Sequence, residues 1–173
     1  MKAKTQSFDA STITVSNRQR RKKINARFLK RVVAALFEEL KIDEAELGIH
    51  LVAAKEMARV NWQFLQHEGS TDVITFDHSD SDDASARGVT IRAIHGELFI
   101  CVDDAVKQSK EFKTTWQSEV VRYLAHGILH LLGYDDLKAD LRRAMKREEN
   151  RLMRMLERRF SLAQLSRAAK IGA

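Results

Sequence analysis

Apolar residues recur at helical spacing in four stretches of the chain. In 25–40 they occupy positions 28, 29, 32, 33, 36 and 37, which predicts an amphipathic helix. The spacing in 53–66 predicts a second helix with Met57, Val60, Phe64 and Leu65 facing inward. The stretch 114–132 is the most apolar helix. The stretch 137–170 predicts one long C-terminal amphipathic helix or two joined helices.

Between these helices the chain shows β-branched and alternating runs. They predict strands at 11–17, 47–52 and 71–77, and one or two strands at 89–102, interrupted near Gly96. The serine-containing acidic stretch 78–88 predicts a solvated loop, and the two acids that begin 103–112 favour another helix. This order of elements favours an α+β or α/β layered fold with a central sheet.

The size and composition of the chain suit one compact domain. The 173 residues are 44% hydrophobic and 31% charged, and we expect them to form a single domain, 1–173. No apolar stretch resembles a signal peptide or a membrane span, so we expect a cytoplasmic protein without a membrane partner. The single cysteine, Cys101, excludes an intrachain disulfide and is expected to be a small buried hydrophobe.

Positive charge is the feature of the composition that points to a partner. The net charge is +6, and basic residues cluster in RQRRKK at 18–23 and along the segment 142–159. Such clusters favour a polyanionic partner, which in the cytoplasm usually means nucleic acid. For the second cluster a solvated helix face is an equally good interpretation, with its charges balanced by Glu148, Glu149 and Glu157.

The stretch HGILHLLGYDD at 126–136 carries the chemistry. His126 and His130 are four residues apart and would share one face of a helix. Gly133 would end that helix, so that Asp136 could return as a third ligand. Three protein ligands with an open position are typical of a catalytic metal site, and zinc is the first choice. The alternatives are an incidental histidine pair and a non-haem iron site. A zinc protease is disfavoured because Gly127 replaces the glutamate that would act as its base.

With these residues in view, the sequence resembles the YbeY family of bacterial endoribonucleases, whose signature reads H-G-x-L-H-L-x-G-Y-D-H. The stretch STDVITF at 70–76 resembles the family's TDVLSF strand, and GELFICVDDA at 96–105 resembles its GDIVI strand and the helix start that follows. Asn61 fits the asparagine of the preceding helix. The resemblance covers about 12–156 and leaves 157–173 as a C-terminal extension.

The resemblance implies an α+β fold with a central sheet of about four strands and helices packed over it. The zinc-binding helix would lie in the middle of the core, followed by a long C-terminal helix. It also implies cleavage of single-stranded RNA in ribosomal RNA maturation and ribosome quality control, with the small ribosomal subunit as a partner and no DNA expected. The alternative is a metal-stabilised RNA- or ribosome-binding factor without turnover.

Two positions depart from the family pattern. Asp136 stands where the family has a third histidine, which would make bound zinc a weaker Lewis acid and other divalent metals more competitive. Leu65 stands where the family has an arginine. Arg122, one turn before His126, could bind the substrate instead, or could pair with a carboxylate such as Glu119. No side chain identifies itself as general acid or base, and Asp72 is better explained as a carboxylate bonded to backbone amides.

Overall fold

The structure is a computed structural model that describes residues 11–79 and 92–166. Four strands and five α-helices follow one another along this part of the chain, with a short 3-10 helix at its end. The strands are β1 (Thr12–Asn17), β2 (Glu44–Val52), β3 (Val73–Asp77) and β4 (Ala93–Cys101). The helices are α1 (Ala26–Leu40), α2 (Ala54–Leu65), α3 (Val102–Glu111), α4 (Trp116–Leu131) and α5 (Ala139–Arg159), and the 3-10 helix is Leu162–Ser166.

The four strands form one mixed sheet in the order β1-β2-β4-β3. β1, β2 and β4 are parallel, and β3 is antiparallel to β4. In β2 and β4 alternate side chains are buried, because one face of the sheet carries the main core and the other is largely polar. The fold is therefore α+β with a four-stranded central sheet, as the sequence led us to expect.

Helix α4 lies at the centre of the main core, packed against β3, β4, α3 and α5. Its close approach to the sheet depends on Gly127, because a Cβ atom there would lie 2.7 Å from Leu98 Cδ2. A glutamate at this position would meet the sheet and not the histidine face. The structure thus adds a steric reason against the protease interpretation.

Strand β4 is continuous through Gly96, so the interruption predicted there is wrong. Gly96 pairs with both neighbouring strands, to Leu47 on one side and Asp77 on the other. Its lack of a side chain has a packing reason, since a Cβ atom would lie 2.5 Å from the Phe76 carbonyl oxygen and 2.6 Å from Leu131. The glycine marks a close approach of α4 to the sheet and not a break in the strand.

The inward face predicted for α2 is half correct. Met57 and Val60 are buried, but Phe64 is 56% exposed and Leu65 is 47% exposed. The last turn of the helix therefore lies where its apolar side chains are only partly covered. Phe64 contacts Phe76 of the edge strand β3, with ring centroids 5.1 Å apart.

The C-terminal segment forms one long helix, and this helix ends before residue 170, the end that the sequence predicts. α5 stops at Arg159, and the chain then folds back as the 3-10 helix. Leu165 is fully buried, its carbonyl oxygen accepts a hydrogen bond from the Asn25 amide, and the Phe160 ring packs edge-on against Phe28. Residues 160–166 therefore pack on the core. Residues 167–173 and most of the predicted loop at 78–88 lie outside the described residues.

Two further expectations can be compared with the described residues. Cys101 is fully buried, and burial raises the pKa of its thiol to about 12, so it is the small core residue that the sequence predicts. None of the described helices is both long enough and apolar enough to cross a bilayer.

Candidate metal centre

The end of α4 brings three potential ligands together. After Leu131 the chain turns at Gly133, whose φ of +94° is readily adopted by glycine. The amide of Tyr134 donates to the Leu129 carbonyl and closes this turn. The reversal places Asp136 opposite the face of α4 that carries His126 and His130, as the spacing of the motif predicts.

The distances within this group suit a metal ion. The Nε2 atoms of His126 and His130 lie 3.1 Å apart, and Asp136 Oδ2 lies 3.8 Å from each of them. In a tetrahedral zinc site with bonds of about 2.0–2.1 Å, neighbouring ligand atoms are separated by about 3.3 Å. One ligand atom from each residue lies within 4.8 Å of the others, and among the described residues this is the one group of its kind.

The hydrogen bonds of the two Nδ1 atoms determine whether the Nε2 atoms are available as metal ligands. His130 Nδ1 lies 3.0 Å from the Tyr134 carbonyl oxygen, which can only accept, so Nδ1 carries the proton. His126 Nδ1 lies 2.9 Å from Glu149 Oε2 and likewise donates to a carboxylate. With both Nδ1 atoms directed at acceptors, the two Nε2 atoms face each other at 3.1 Å. Two imidazole nitrogens placed in this way can bind one metal ion together.

Glu149 supports the site from α5. It is only 4% exposed and accepts hydrogen bonds from His126, Arg122 at 2.6 Å and Lys146 at 2.9 Å. Burial by itself raises the pKa of this carboxyl group, but the hydrogen bonds from His126, Arg122 and Lys146 outweigh burial and lower it to about 2. Glu149 is therefore ionised and stabilises the tautomer of His126 that leaves Nε2 free. The sequence showed this residue only as part of a charged helix face.

A cleft of about 490 Å³ opens beside the ligand group. Its wall is formed by the end of α3, by α4 and by the N-terminal half of α5, and it includes two of the three ligands. The lining residues are Asp72, Gln108, Phe112, Thr114, Glu119, Arg122, Tyr123, His126, Asp136, Arg142, Met145, Lys146, Glu149 and Asn150. A substrate in this cleft would contact the open side of the ligand group.

The other residues singled out by sequence lie in different places. Arg122 lines the cleft, but its Nη1 donates to Glu149 and to Asn150, and not to the Glu119 carboxylate that the sequence suggested. Asp72 accepts from the amide of Val73 at 2.8 Å, in agreement with the structural role expected for it.

The helix before β3 does not add a cation to the cleft. Asn61 is buried and donates to the Gly69 carbonyl at 2.9 Å, which holds the loop that leads to β3. Leu65 follows one turn later at the end of α2 and is not among the described residues that line the cleft. An arginine supplied from this position is therefore absent, as the sequence indicated.

Fold and site together define an α+β protein with a candidate metal site of two histidines and one carboxylate at the mouth of a cleft. The family model described as Endoribonuclease YbeY matches residues 14–157. The chain therefore belongs to the YbeY family of endoribonucleases.

Individual relatives agree with the family match. The endoribonuclease YbeY of Chlorobium phaeovibrioides is 32% identical over 149 residues, covering 84% of this chain and 90% of the relative. That of Syntrophotalea carbinolica is 30% identical over 148 residues, covering 84% and 96%. The solution structure of TM1509 from Thermotoga maritima is similar with a TM-score of 0.55 and 23% identity, covering 94% of this chain and 99% of that one. The last comparison supports the fold.

Proposed function

We propose that the protein is a single-domain, metal-dependent endoribonuclease that cleaves single-stranded RNA. Membership of the YbeY family supports the reaction class, and the relatives from Chlorobium phaeovibrioides and Syntrophotalea carbinolica are both named endoribonucleases, which favours an enzyme over a binding factor without turnover. The observation that carries the metal dependence is the pair of Nε2 atoms 3.1 Å apart, each on an imidazole whose other nitrogen is a donor.

His126, His130 and Asp136 are the proposed ligands, and zinc is the proposed metal. Two imidazoles and a carboxylate suit zinc, although the carboxylate makes another divalent metal more competitive than three histidines would. A divalent metal at this position would polarise a phosphate oxygen or activate a water molecule for attack on phosphorus. Glu149 and the Tyr134 carbonyl orient the two imidazoles.

Arg122 keeps a proposed role at the substrate side of the cleft, but the contacts favour an indirect one. Its Nη1 holds Glu149 and Asn150, so it first neutralises the carboxylate that orients His126. Removal of Arg122 would therefore weaken the orientation of His126 as well as change the cleft wall.

The proposed cellular role comes from the resemblance to the YbeY family, and the positive charge of the chain is compatible with it. We propose ribosomal RNA as the substrate, with a function in its maturation and in ribosome quality control in the cytoplasm. The small ribosomal subunit is the proposed partner. The net charge of +6 favours contact with a polyanion, while DNA and membranes are not proposed partners.

The test is a cleavage assay with the purified, zinc-loaded protein on a single-stranded RNA, its duplex form and a DNA of the same sequence. We expect cleavage of the single-stranded RNA that His130→Ala abolishes. Salt-sensitive RNA binding without cleavage would support the non-catalytic factor instead. Stoichiometric zinc in Asp136→Ala, measured by elemental analysis, would overturn the ligand assignment.

A further inference from the structure

Two of the three cations that line the cleft are paired with a carboxylate of its wall. Four carboxylates and three cations contribute to its wall. Two of the cations, Arg122 and Lys146, both donate to the buried Glu149, at 2.6 and 2.9 Å. Both positive charges are therefore paired with the carboxylate behind His126. A phosphate that enters the cleft needs a cation that is not already neutralised.

Arg142 is that cation. It lies in the first turns of α5, it is exposed, and no carboxylate of the described residues comes within 4.0 Å of its guanidinium. Its contacts are with main-chain oxygens: Nε donates to the Asp136 carbonyl at 3.0 Å, and Nη2 reaches the Leu137 carbonyl at 3.5 Å. Within the described residues Nη1 makes no hydrogen bond.

These contacts fix the position of the positive charge without cancelling it. A carbonyl oxygen carries only a partial charge, whereas a carboxylate would neutralise the arginine. The carbonyl that Nε contacts belongs to Asp136, the third proposed metal ligand, so the guanidinium is held directly beside the ligand group. Arginine is also the side chain whose planar set of donors best matches phosphate oxygens.

We propose that Arg142 binds a phosphate group of the RNA strand next to the metal ligands and so positions the strand for cleavage. The inference rests on the proposed function, because it assigns a substrate contact to the same cleft. The phosphate-binding arginine is thus on α5, whereas the sequence directed attention to position 65 on α2 and to Arg122 on α4.

The experiment compares Arg142→Ala with Arg143→Ala, a matched control that removes the same charge from the next, exposed residue outside the cleft lining. Arg142→Lys keeps the positive charge but removes the planar set of guanidinium donors. Cleavage of a single-stranded RNA gives kcat and KM. Binding of the same RNA to metal-free protein, followed by fluorescence anisotropy over a range of salt concentrations, gives a readout that does not require catalysis.

For Arg142→Ala we expect kcat/KM to fall roughly 10- to 100-fold, as for the loss of a hydrogen bond to a charged group. The slope of log affinity against log salt should fall by about 0.7, one phosphate contact on a single strand. Arg142→Lys should retain the salt slope and lose part of the activity. Arg143→Ala should change kcat/KM by less than about threefold, and zinc content and melting temperature should stay the same in all variants.

The outcomes separate this inference from the proposed function. If the wild type cleaves RNA and Arg142→Ala matches Arg143→Ala in both assays, the inference is overturned and the function stands. If the wild type binds RNA without cleaving it, and the salt slope depends on Arg142, the function fails and the phosphate contact of Arg142 stands without a role in cleavage. If the wild type neither binds nor cleaves, both fail. Should Arg142→Ala not fold, full activity in Arg142→Lys with an unchanged KM would count against a geometric role for the guanidinium.

Discussion

Two clusters of histidine and carboxylate lie on opposite sides of the sheet, and only one has the geometry of a metal site. On the open face, His50 and His78 contact Glu97, their Nε2 atoms 2.8 and 2.9 Å from its two oxygens. At the end of α4, His126 and His130 instead direct their Nε2 atoms at each other, 3.1 Å apart. The residue types are the same, but the Nε2 atoms face a carboxylate in the open-face cluster and another imidazole Nε2 atom at the end of α4.

The carboxylates explain this difference. Glu97 lies between its two histidines, and hydrogen bonds from His78 and then His50 lower the pKa of its carboxyl group. Glu149 lies behind His126, bonded to Nδ1, so it fixes the tautomer and leaves Nε2 without a protein partner. A carboxylate between histidines satisfies them, whereas a carboxylate behind a histidine prepares it to bind a cation.

The largest expected effect comes from removing one imidazole from each cluster. His130→Ala should lose stoichiometric zinc, because two of three protein ligands rarely hold the metal at a catalytic site. His78→Ala should keep it, because that histidine already has an acceptor. Elemental analysis after dialysis against a weak chelator measures both. Zinc retained by His130→Ala, or lost by His78→Ala, would contradict the claim that only the cluster at the end of α4 binds the metal.

The buried carboxylate should also give the metal-free protein a characteristic pH dependence. The pKa of Glu149 is lowered from 4.5 to about 2 in the folded state, so its contribution is complete above pH 4.5 and is lost as the pH falls toward 2. Such a shift corresponds to at most about 3 kcal/mol in the free energy of unfolding. Urea unfolding between pH 6 and 3 should show a steeper loss for the wild type than for Glu149→Gln.

The control for this pH dependence is Glu97→Gln. The pKa of Glu97 is lowered as well, but its side chain is 41% exposed, so solvent screens the contribution. Its variant should therefore follow the wild type closely in the same window. Parallel unfolding curves for wild type and Glu149→Gln would contradict the role assigned to the buried carboxylate.

A smaller effect is expected on metal affinity at neutral pH. Glu149→Gln keeps the size of the side chain but weakens the hydrogen bond that orients His126, and loss of such a partner typically costs 10- to 100-fold in metal affinity. Glu97→Gln should leave the affinity unchanged. Competition with a chromophoric zinc chelator measures both variants, and equal affinities would show that Glu149 acts on stability alone.

Most of the fold could be predicted from the sequence because local patterns encode it. The apolar spacing in α1 and α4 reports which face is buried, and the alternation in β2 reports the polar face of the sheet. The errors occur where burial depends on a distant neighbour. Phe64 has helical spacing but packs on Phe76 of the edge strand and stays 56% exposed, and Gly96 has the sequence of a break but permits a close approach of α4.

The site was predicted in the same uneven way. His126, His130 and Asp136 lie within one short motif, so their spacing alone predicts that they meet. Glu149 and Arg142 are on α5, and only tertiary packing shows that one lies behind His126 while the other contacts the main chain at Asp136. In the sequence both belong to a run of alternating charges that is equally typical of a solvated helix.

The smallest expected effect concerns the choice of metal. Asp136→His would give three imidazole ligands in place of two and a carboxylate, and softer, neutral ligands should favour zinc over manganese by several-fold. Asp135→Asn is the control, because it removes a neighbouring charge but keeps the oxygen that accepts from the Leu137 amide. Competitive loading with equal zinc and manganese, followed by elemental analysis, measures the preference. An Asp136→His protein with an unchanged zinc-to-manganese ratio would show that the carboxylate does not determine metal selectivity.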